Sequence, residues 1–168
     1  MSMTNFMNYS VTWNDFKDLS QQPAGEKENA QINPEMRPSN FKVGKKGKAA
    51  IVASMDMNVV IVKENSWVVT SAKSAYLLQH EQGHYDIMAL AARENYNKLL
   101  KLQGSTVSDL QKQMTETQGG VETKVSIVDK RYDTQTQHGA DQTKQKEWDQ
   151  KIAAEKSKPE GSIDNLPI

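Results

Sequence analysis

The sequence contains no cysteine, and this absence removes several kinds of chemistry. Disulfide bonds, thiolate nucleophiles, iron–sulfur clusters and metal sites with sulfur ligands all need cysteine and are therefore excluded. A transition metal could be held only by nitrogen and oxygen ligands. The lack of cysteine does not decide between a cytosolic and an exported protein.

The chain also lacks an excess of charge and a long apolar segment. It carries 21 basic and 21 acidic residues, so its formal charge is zero and a nucleic-acid partner is not expected. No apolar run reaches the roughly 18–20 residues that span a bilayer. The N-terminal residues show neither the basic start nor the apolar stretch of a signal peptide, so the chain as written is expected to remain in the cytoplasm.

The length of 168 residues suits a single domain with its own core, which we expect to be an α+β domain over residues 1–156. Prolines and polar residues predict a long surface loop over 19–40, and the composition of 157–168 predicts a disordered tail. Apolar residues alternate over 48–62, with every odd-numbered position from 49 to 61 apolar. This period of two predicts a long strand or a tight hairpin with one face on the core.

Helical periodicity begins after Val69. Ser71 or Ser74 can cap a helix that runs to Leu102, with Gly104 just beyond its end. A second helix is predicted over 106–117, ending at the glycine pair 119–120, and a last helical stretch over 140–156. The expected fold is a small mixed or antiparallel sheet packed on one long helix, with further helices toward the C-terminus.

One segment of the long helix carries residue types that, at this spacing, can bind a metal ion and use it. Residues 80–84 read His-Glu-Gln-Gly-His, the HExxH pattern. Four residues turn a helix by about 400°, so both imidazoles lie on the same side of it. Two neutral imidazoles suit zinc, and Glu81 can take a proton from a zinc-bound water. The pattern predicts His80 and His84 as zinc ligands and Glu81 as the general base; the alternative is a solvated helix face without function.

The third ligand is expected from outside this helix. Asp86 follows His84 by two residues and points away from it, and Glu94 lies about 15 Å further along the axis. The one remaining histidine, His138, is therefore predicted as the third ligand, with a distal glutamate or aspartate as the competing candidate. The segment around Gly139 must then fold back across the helix.

Several residues are candidates for supporting roles. The second nitrogen of a metal-binding imidazole usually contacts a carboxylate or carbonyl, and Asp133 and Asp141 are candidates for that contact. Tyr132 and Tyr85 could donate a hydrogen bond to a developing oxyanion, with core packing as the alternative; we assign the catalytic role to Tyr132. Gly83 costs about 1 kcal/mol relative to alanine inside a helix, which predicts the close approach of another backbone there.

The order and wording of four segments resemble one bacterial family. These segments are Val11–Phe16, Ser66–Val68, Leu77–Ile87 and the block from Tyr132 to Trp148 that contains Tyr-Asp-x-x-Thr-x-His-Gly. Over residues 10–150 the chain is similar to domain-of-unknown-function family 922, described as predicted secreted zinc-dependent proteases. The resemblance implies a zincin-like fold, a role for His138, and a secreted or periplasmic location.

Together these observations predict a zinc metallopeptidase that hydrolyses peptide bonds through a zinc-bound water activated by Glu81. The expected partner is a peptide or protein substrate, which the 48–62 strand could align by edge pairing, and the protein is expected to be a monomer. Two alternatives stay open at this stage. One is a metal-stabilised binding module without catalysis, and the other is a zinc amide hydrolase that acts on a non-peptide substrate.

Overall fold

The computed structural model describes residues 4–167 and contains both helices and strands, so the expected α+β class is confirmed. Single 3₁₀ turns lie at Trp13–Asp15, Lys63–Asn65, Thr70–Ala72 and Ile163–Asn165. The helices and strands, in chain order, are α1 (Thr4–Met7), β1 (Lys17–Leu19), β2 (Ala30–Gln31), β3 (Pro34–Lys46), β4 (Ala49–Ile61), β5 (Trp67–Val69), α2 (Ala75–Leu99), β6 (Gln103–Gly104), α3 (Val107–Thr136) and α4 (Gln142–Ser157).

The strands form two small sheets. In the first, β5 lies between β1, to which it is parallel, and β2, to which it is antiparallel. In the second, β4 lies between β3 and the short β6, and both pairings are antiparallel. Because β2 is the last strand of its sheet, one of its edges pairs with no other strand of the described chain.

The β3–β4 hairpin corrects two sequence predictions. The segment 19–40 is not one continuous loop, because it contains β2 and the first half of β3. The residues of β4 that face the core are odd-numbered only from Met55 onward, whereas Ala50 and Val52 are buried before it. The pairing register shifts twice near Lys42: first β3 has one extra residue relative to β4, and then β4 has one extra residue relative to β3. Each extra residue reverses which side chains of its strand face inward.

The long helix α2 agrees with its prediction at the N-terminus, where the Ser74 side chain accepts a hydrogen bond from the Leu77 amide. It ends at Leu99, three residues before the predicted end, and Gly104 lies in β6 rather than at a helix cap. From Ile87 onward residues on all sides of α2 are buried, as expected for a helix in the centre of a fold.

Helix α3 differs most from its prediction, because it continues through the glycine pair 119–120 to Thr136. Each glycine disfavours a helix by about 1 kcal/mol. Beyond the pair, however, the side chains of Val121, Val125, Val128 and Tyr132 are buried at helical spacing. Burial of four such side chains offsets the glycine penalty, since each contributes about 1.5–3 kcal/mol.

The segment that follows α4 is ordered, so the prediction of a disordered tail is wrong for residues 158–167. Ile163 and Leu166 are buried in the core. The Arg93 guanidinium of α2 donates hydrogen bonds to the carbonyl oxygens of Glu155, Lys156 and Gly161, which fastens this segment to the central helix. Within residues 4–167, the helices are all too short or too polar to cross a membrane.

Candidate metal centre

The two histidines of α2 meet at one point beside the helix. His80 and His84 are one turn apart, and their Nε2 atoms are 3.3 Å from each other. His80 is almost fully buried, whereas the His84 side chain is 11% exposed and reaches the wall of a cleft. The predicted convergence of the two imidazoles is therefore present.

Helix α3 brings a carboxylate to the same point. The Asp133 Oδ1 atom lies 3.2 Å from His80 Nε2 and 2.9 Å from His84 Nε2. The three atoms all lie within 4.8 Å of one another. Burial alone would raise the pKa of Asp133, but the contacts with both imidazoles outweigh burial and hold that pKa below its ordinary value. Asp133 thus presents an ionised carboxylate oxygen next to two imidazole nitrogens.

The opposite ring nitrogens of both histidines contact acceptors. His80 Nδ1 lies 3.0 Å from Gln145 Oε1, and His84 Nδ1 lies 2.8 Å from Asp129 Oδ1. The Gln145 amide nitrogen donates to the Tyr132 hydroxyl, so its oxygen is left to accept a hydrogen bond from His80 Nδ1. With hydrogens on both Nδ1 atoms, each imidazole can offer its Nε2 atom to a metal once that atom carries no proton.

Two neighbouring carboxylates strongly affect the charge state of the His84 imidazole. Burial would lower the pKa of its imidazole, but Asp129 and Asp133 together outweigh burial and raise this pKa well above the ordinary value. A metal that binds here therefore replaces a proton at His84, because coordination needs the lone pair.

The donor set fits zinc. Two imidazole nitrogens and one carboxylate oxygen form a ligand set that zinc hydrolases use, with a further position left for water or substrate. Both imidazoles are held by a second hydrogen bond, as metal-binding histidines almost always are. The cleft beside His84 gives access to the site from solvent.

Glu81 lies next to this cluster and is 2% exposed. Its carboxylate accepts a hydrogen bond from the backbone of Ile32, and its Oε2 atom is buried without a partner among the described residues. Burial raises the pKa of Glu81 to about 7, and the negative charge of Asp133 contributes to this increase. A carboxyl group with this pKa can take up and release a proton near neutral pH.

Tyr132 does not fit its predicted role. It is fully buried, its ring stacks on His80 with centroids 4.7 Å apart, and its hydroxyl donates to the His80 carbonyl oxygen at 3.0 Å. A hydroxyl that is committed to the backbone of α2 does not reach an oxyanion in the cleft. Tyr132 instead holds the His80 ring in place.

The same tyrosine explains why position 83 is a glycine. A Cβ atom on Gly83 would overlap the hydroxyl and ring of Tyr132. The sequence predicted the approach of another backbone at this glycine, whereas the structure shows that a buried side chain makes the approach.

His138 lies beside the cluster and contacts it through Asp133. Its side chain is 49% exposed, and its Nδ1 atom is 3.0 Å from Glu28 Oε1 and 3.5 Å from Asp133 Oδ1. The close fold-back of this segment is present, because Gly139 has a φ of +83° and a Cβ there would approach His80 to 3.1 Å. The atom that contacts both helix histidines is nevertheless Asp133 Oδ1, which belongs to a carboxylate, the competing kind of ligand. The role of His138 as a metal ligand stays a prediction.

Two other predicted roles are corrected by position. Asp141 caps α4, since its side chain accepts a hydrogen bond from the Lys144 amide, and it contacts neither imidazole in the structure. Tyr85 is buried and donates to the Phe6 carbonyl oxygen, away from the cleft.

Sequence reasoning undervalued Asp129 and Asp133 as a pair. They are four residues apart on α3, as the histidines are on α2, so both pairs present two groups on one helix face. That shared spacing is the signal that could have identified them.

The comparison with protein families places the chain in a known family. Over residues 7–139 the chain matches the model of a family described as "Bacterial protein of unknown function (DUF922)". The chain belongs to this family. No curated protein and no solved structure matches the sequence. The matched region contains the HExxH helix, Asp133 and His138, whereas Gln145 and the rest of α4 lie outside it.

Proposed function

We propose that this protein is a zinc-dependent peptidase with a zincin-like active site. His80, His84 and Asp133 would hold the metal, and Glu81 would act as general base. A bound zinc ion supplies a Lewis acid that polarises a carbonyl group and lowers the pKa of water. The observation that carries the proposal is the buried, unpartnered Oε2 atom of Glu81 beside three converging ligand atoms.

Glu81 is the residue that distinguishes a catalytic site from a structural one. A metal site that only stabilises a fold needs ligands and their supports, but it does not need a buried carboxylate oxygen without a donor. Such an oxygen is costly to bury, by about 1–3 kcal/mol or more for a charged group. In a hydrolase this atom accepts the proton of the attacking water and can return it to the leaving amine.

The edge of β2 offers a place for an extended substrate. The Asn29 carbonyl accepts a hydrogen bond from the Val69 amide, so in this antiparallel ladder the neighbouring Ala30 turns its amide and carbonyl toward the opposite edge. Ala30 also lines the cleft that contains Glu81 and His84. A peptide strand paired there would lie against the metal ligands. None of the residues of this cleft belongs to β4, so β2 replaces the 48–62 strand as the proposed aligning strand.

The direct test is cleavage of a broad peptide library by the zinc-loaded protein. We expect cleavage products with the wild type, their loss after chelation, and their return when zinc is restored. Glu81→Gln should form no products, whereas Glu116→Gln, on an exposed part of α3, should behave as the wild type. Cleavage that persists in Glu81→Gln or in the presence of chelator would contradict the proposal.

A further inference from the structure

The charged side chains that line the cleft in front of Glu81 are, apart from His84, all acidic. It has a volume of about 290 Å³, with β2 and the segment before it on one side and α2 and α3 on the other. Glu26, Glu28, Asp129 and Asp133 line it, and lysine and arginine are absent from its lining. We call these four side chains, with Glu81, the acidic cleft. This concentration is local, because the chain as a whole has equal numbers of acidic and basic residues.

The partners of these carboxylates leave most of the negative charge uncompensated. Asp129 and Asp133 contact His84, and Glu28 contacts His138, so the basic groups paired with these carboxylates in the described residues are imidazoles rather than lysine or arginine. The Glu26 side chain is exposed and makes no ion pair within the described part of the chain. A divalent metal ion would balance two of the four charges around Glu81. The metal-loaded cleft would still be negative.

A second observation indicates that a ligand enters this cleft. Glu81 lines it, is almost fully buried, and has an oxygen atom without a hydrogen-bond partner. A buried oxygen of this kind is stabilised when a ligand, or the water that accompanies it, supplies a donor.

The acidic character is stronger on one side of the site than on the other. A neighbouring hollow, which shares Glu28, Ala30 and Glu81 with the cleft, contains Lys27 and His138 in its lining. A peptide that crosses both hollows would therefore meet negative charge on the His84 side and a lysine on the His138 side. This asymmetry would favour one position of a cationic side chain over the other.

We propose that the acidic cleft selects peptides with a lysine or arginine side chain next to the bond presented to the metal centre. The peptide backbone would pair with the free edge of β2, and the cationic side chain would lie on the His84 side, near Glu26, Glu28 and Asp129. The substrate class rests on the proposed peptidase function, although the binding preference can be measured without hydrolysis.

The test uses three fluorescent peptides that are identical except for a central lysine, glutamine or glutamate. Binding is measured by fluorescence anisotropy on the zinc-loaded Glu81→Gln protein, in which the peptides remain intact. We expect the lysine peptide to bind about tenfold more tightly than the glutamine peptide and the glutamate peptide to bind most weakly. The lysine advantage should decrease as salt is raised, because these charges are partly exposed.

Variants of the cleft identify the source of the preference. Adding Glu26→Gln or Glu28→Gln should reduce the lysine advantage, measured as the ratio of the affinities for the lysine and glutamine peptides, at least about threefold. Glu116→Gln is the matched control, because it removes an exposed carboxylate of α3 outside the cleft. Equal affinities for the lysine and glutamine peptides, or an advantage that neither cleft variant reduces, would overturn the inference.

The same peptides separate this inference from the proposed function. If wild-type protein binds the lysine peptide selectively but does not cleave it, the selectivity stands and the peptidase proposal fails for this substrate class. If it cleaves all three peptides equally well, the peptidase proposal stands and the selectivity is wrong. If no peptide binds, both are wrong.

Discussion

Two buried glutamates on α2 show how differently one helix can treat the same side chain. Glu94 accepts hydrogen bonds from Lys98, Lys124 and Ser162, and despite its burial these partners lower its pKa to about 2. Glu81 has one unpartnered oxygen, and burial raises its pKa to about 7. Burial is common to both, so burial alone does not identify a functional residue.

The difference between them lies in the surrounding donors. Near Glu94, α2 meets α3 and the C-terminal segment, and each supplies a group that stabilises the charge. Near Glu81, α2 meets β2 and a cleft, and the neighbouring groups are imidazoles and other carboxylates. The first arrangement stabilises the fold, and the second leaves a proton acceptor available, which is the property that a catalytic base needs.

The largest expected effect is the difference in kcat between the glutamine variants of the two glutamates. Glu81→Gln should lower kcat of peptide cleavage about 10²–10⁴-fold, because it removes the proton acceptor. It should retain zinc, since Glu81 is not among the converging ligand atoms. Glu94→Gln should leave kcat within about twofold of wild type at a temperature where both proteins are folded. Equal losses in the two variants would show that Glu81 has no special role.

The next comparison concerns the third metal ligand. Asp133→Ala should weaken zinc binding more than 100-fold, because it removes a group in contact with both helix histidines. Its matched change is His138→Ala, and isothermal titration of both variants with zinc measures the difference. If His138 is only a neighbour that contacts Asp133, its loss should weaken binding about 10-fold or less, within the range of supporting groups. A larger loss for His138→Ala than for Asp133→Ala would restore His138 as the third ligand.

The stability of the protein at acid pH tests the ion pairing of Glu94. The pKa of Glu94 is about 2 in the folded protein and has an ordinary value of 4.5, so ionised Glu94 stabilises the fold above pH 4.5. This stabilisation, on the order of 2–3 kcal/mol, should be lost as the pH falls from about 4.5 toward 2. Urea unfolding at several pH values should therefore show a smaller acid-induced loss in Glu94→Gln than in wild type. An unchanged pH dependence would contradict the assigned interaction.

The smallest expected effects come from glycines in two helices. Gly83→Ala should destabilise the protein by about 1–3 kcal/mol, because the new methyl group meets Tyr132. Gly119→Ala should stabilise it by about 0.5–1 kcal/mol, since nothing lies within 4 Å of a Cβ there and alanine favours the helix. Thermal unfolding of both variants measures the two signs. Stabilisation by Gly83→Ala would show that the tyrosine is not held against α2.

Local patterns explain which parts of this fold could be predicted from the sequence. The HExxH helix was predicted because its cap at Ser74, its period and its paired histidines are all within one segment. The end of α3 was missed because propensity at the glycine pair indicated a stop, whereas tertiary burial of Tyr132 and the valines before it decided the outcome. The first half of strand β3 was missed because its prolines favour a loop and its partner β4 is needed to pair it.

The position of the candidate third metal ligand could be predicted from the sequence only in part. Helix geometry required a ligand from outside α2, and the Tyr-Asp-x-x-Thr-x-His-Gly block was correctly expected to lie beside it. Asp133 and His138 are five residues apart in that block, and their relative positions depend on where α3 ends. His138 lies beyond that end, in left-handed backbone with a φ of +52°, so its place could not be predicted from the spacing of helix α3.

The metal content of the purified protein is the decisive measurement. After zinc loading and removal of free metal, elemental analysis should find about one zinc ion per chain in the wild type and in Glu81→Gln. His84→Ala should retain almost none under the same conditions, with circular dichroism used to show that the variant is folded. Wild-type protein without zinc, or His84→Ala with as much zinc as wild type, would contradict a metal centre built on α2.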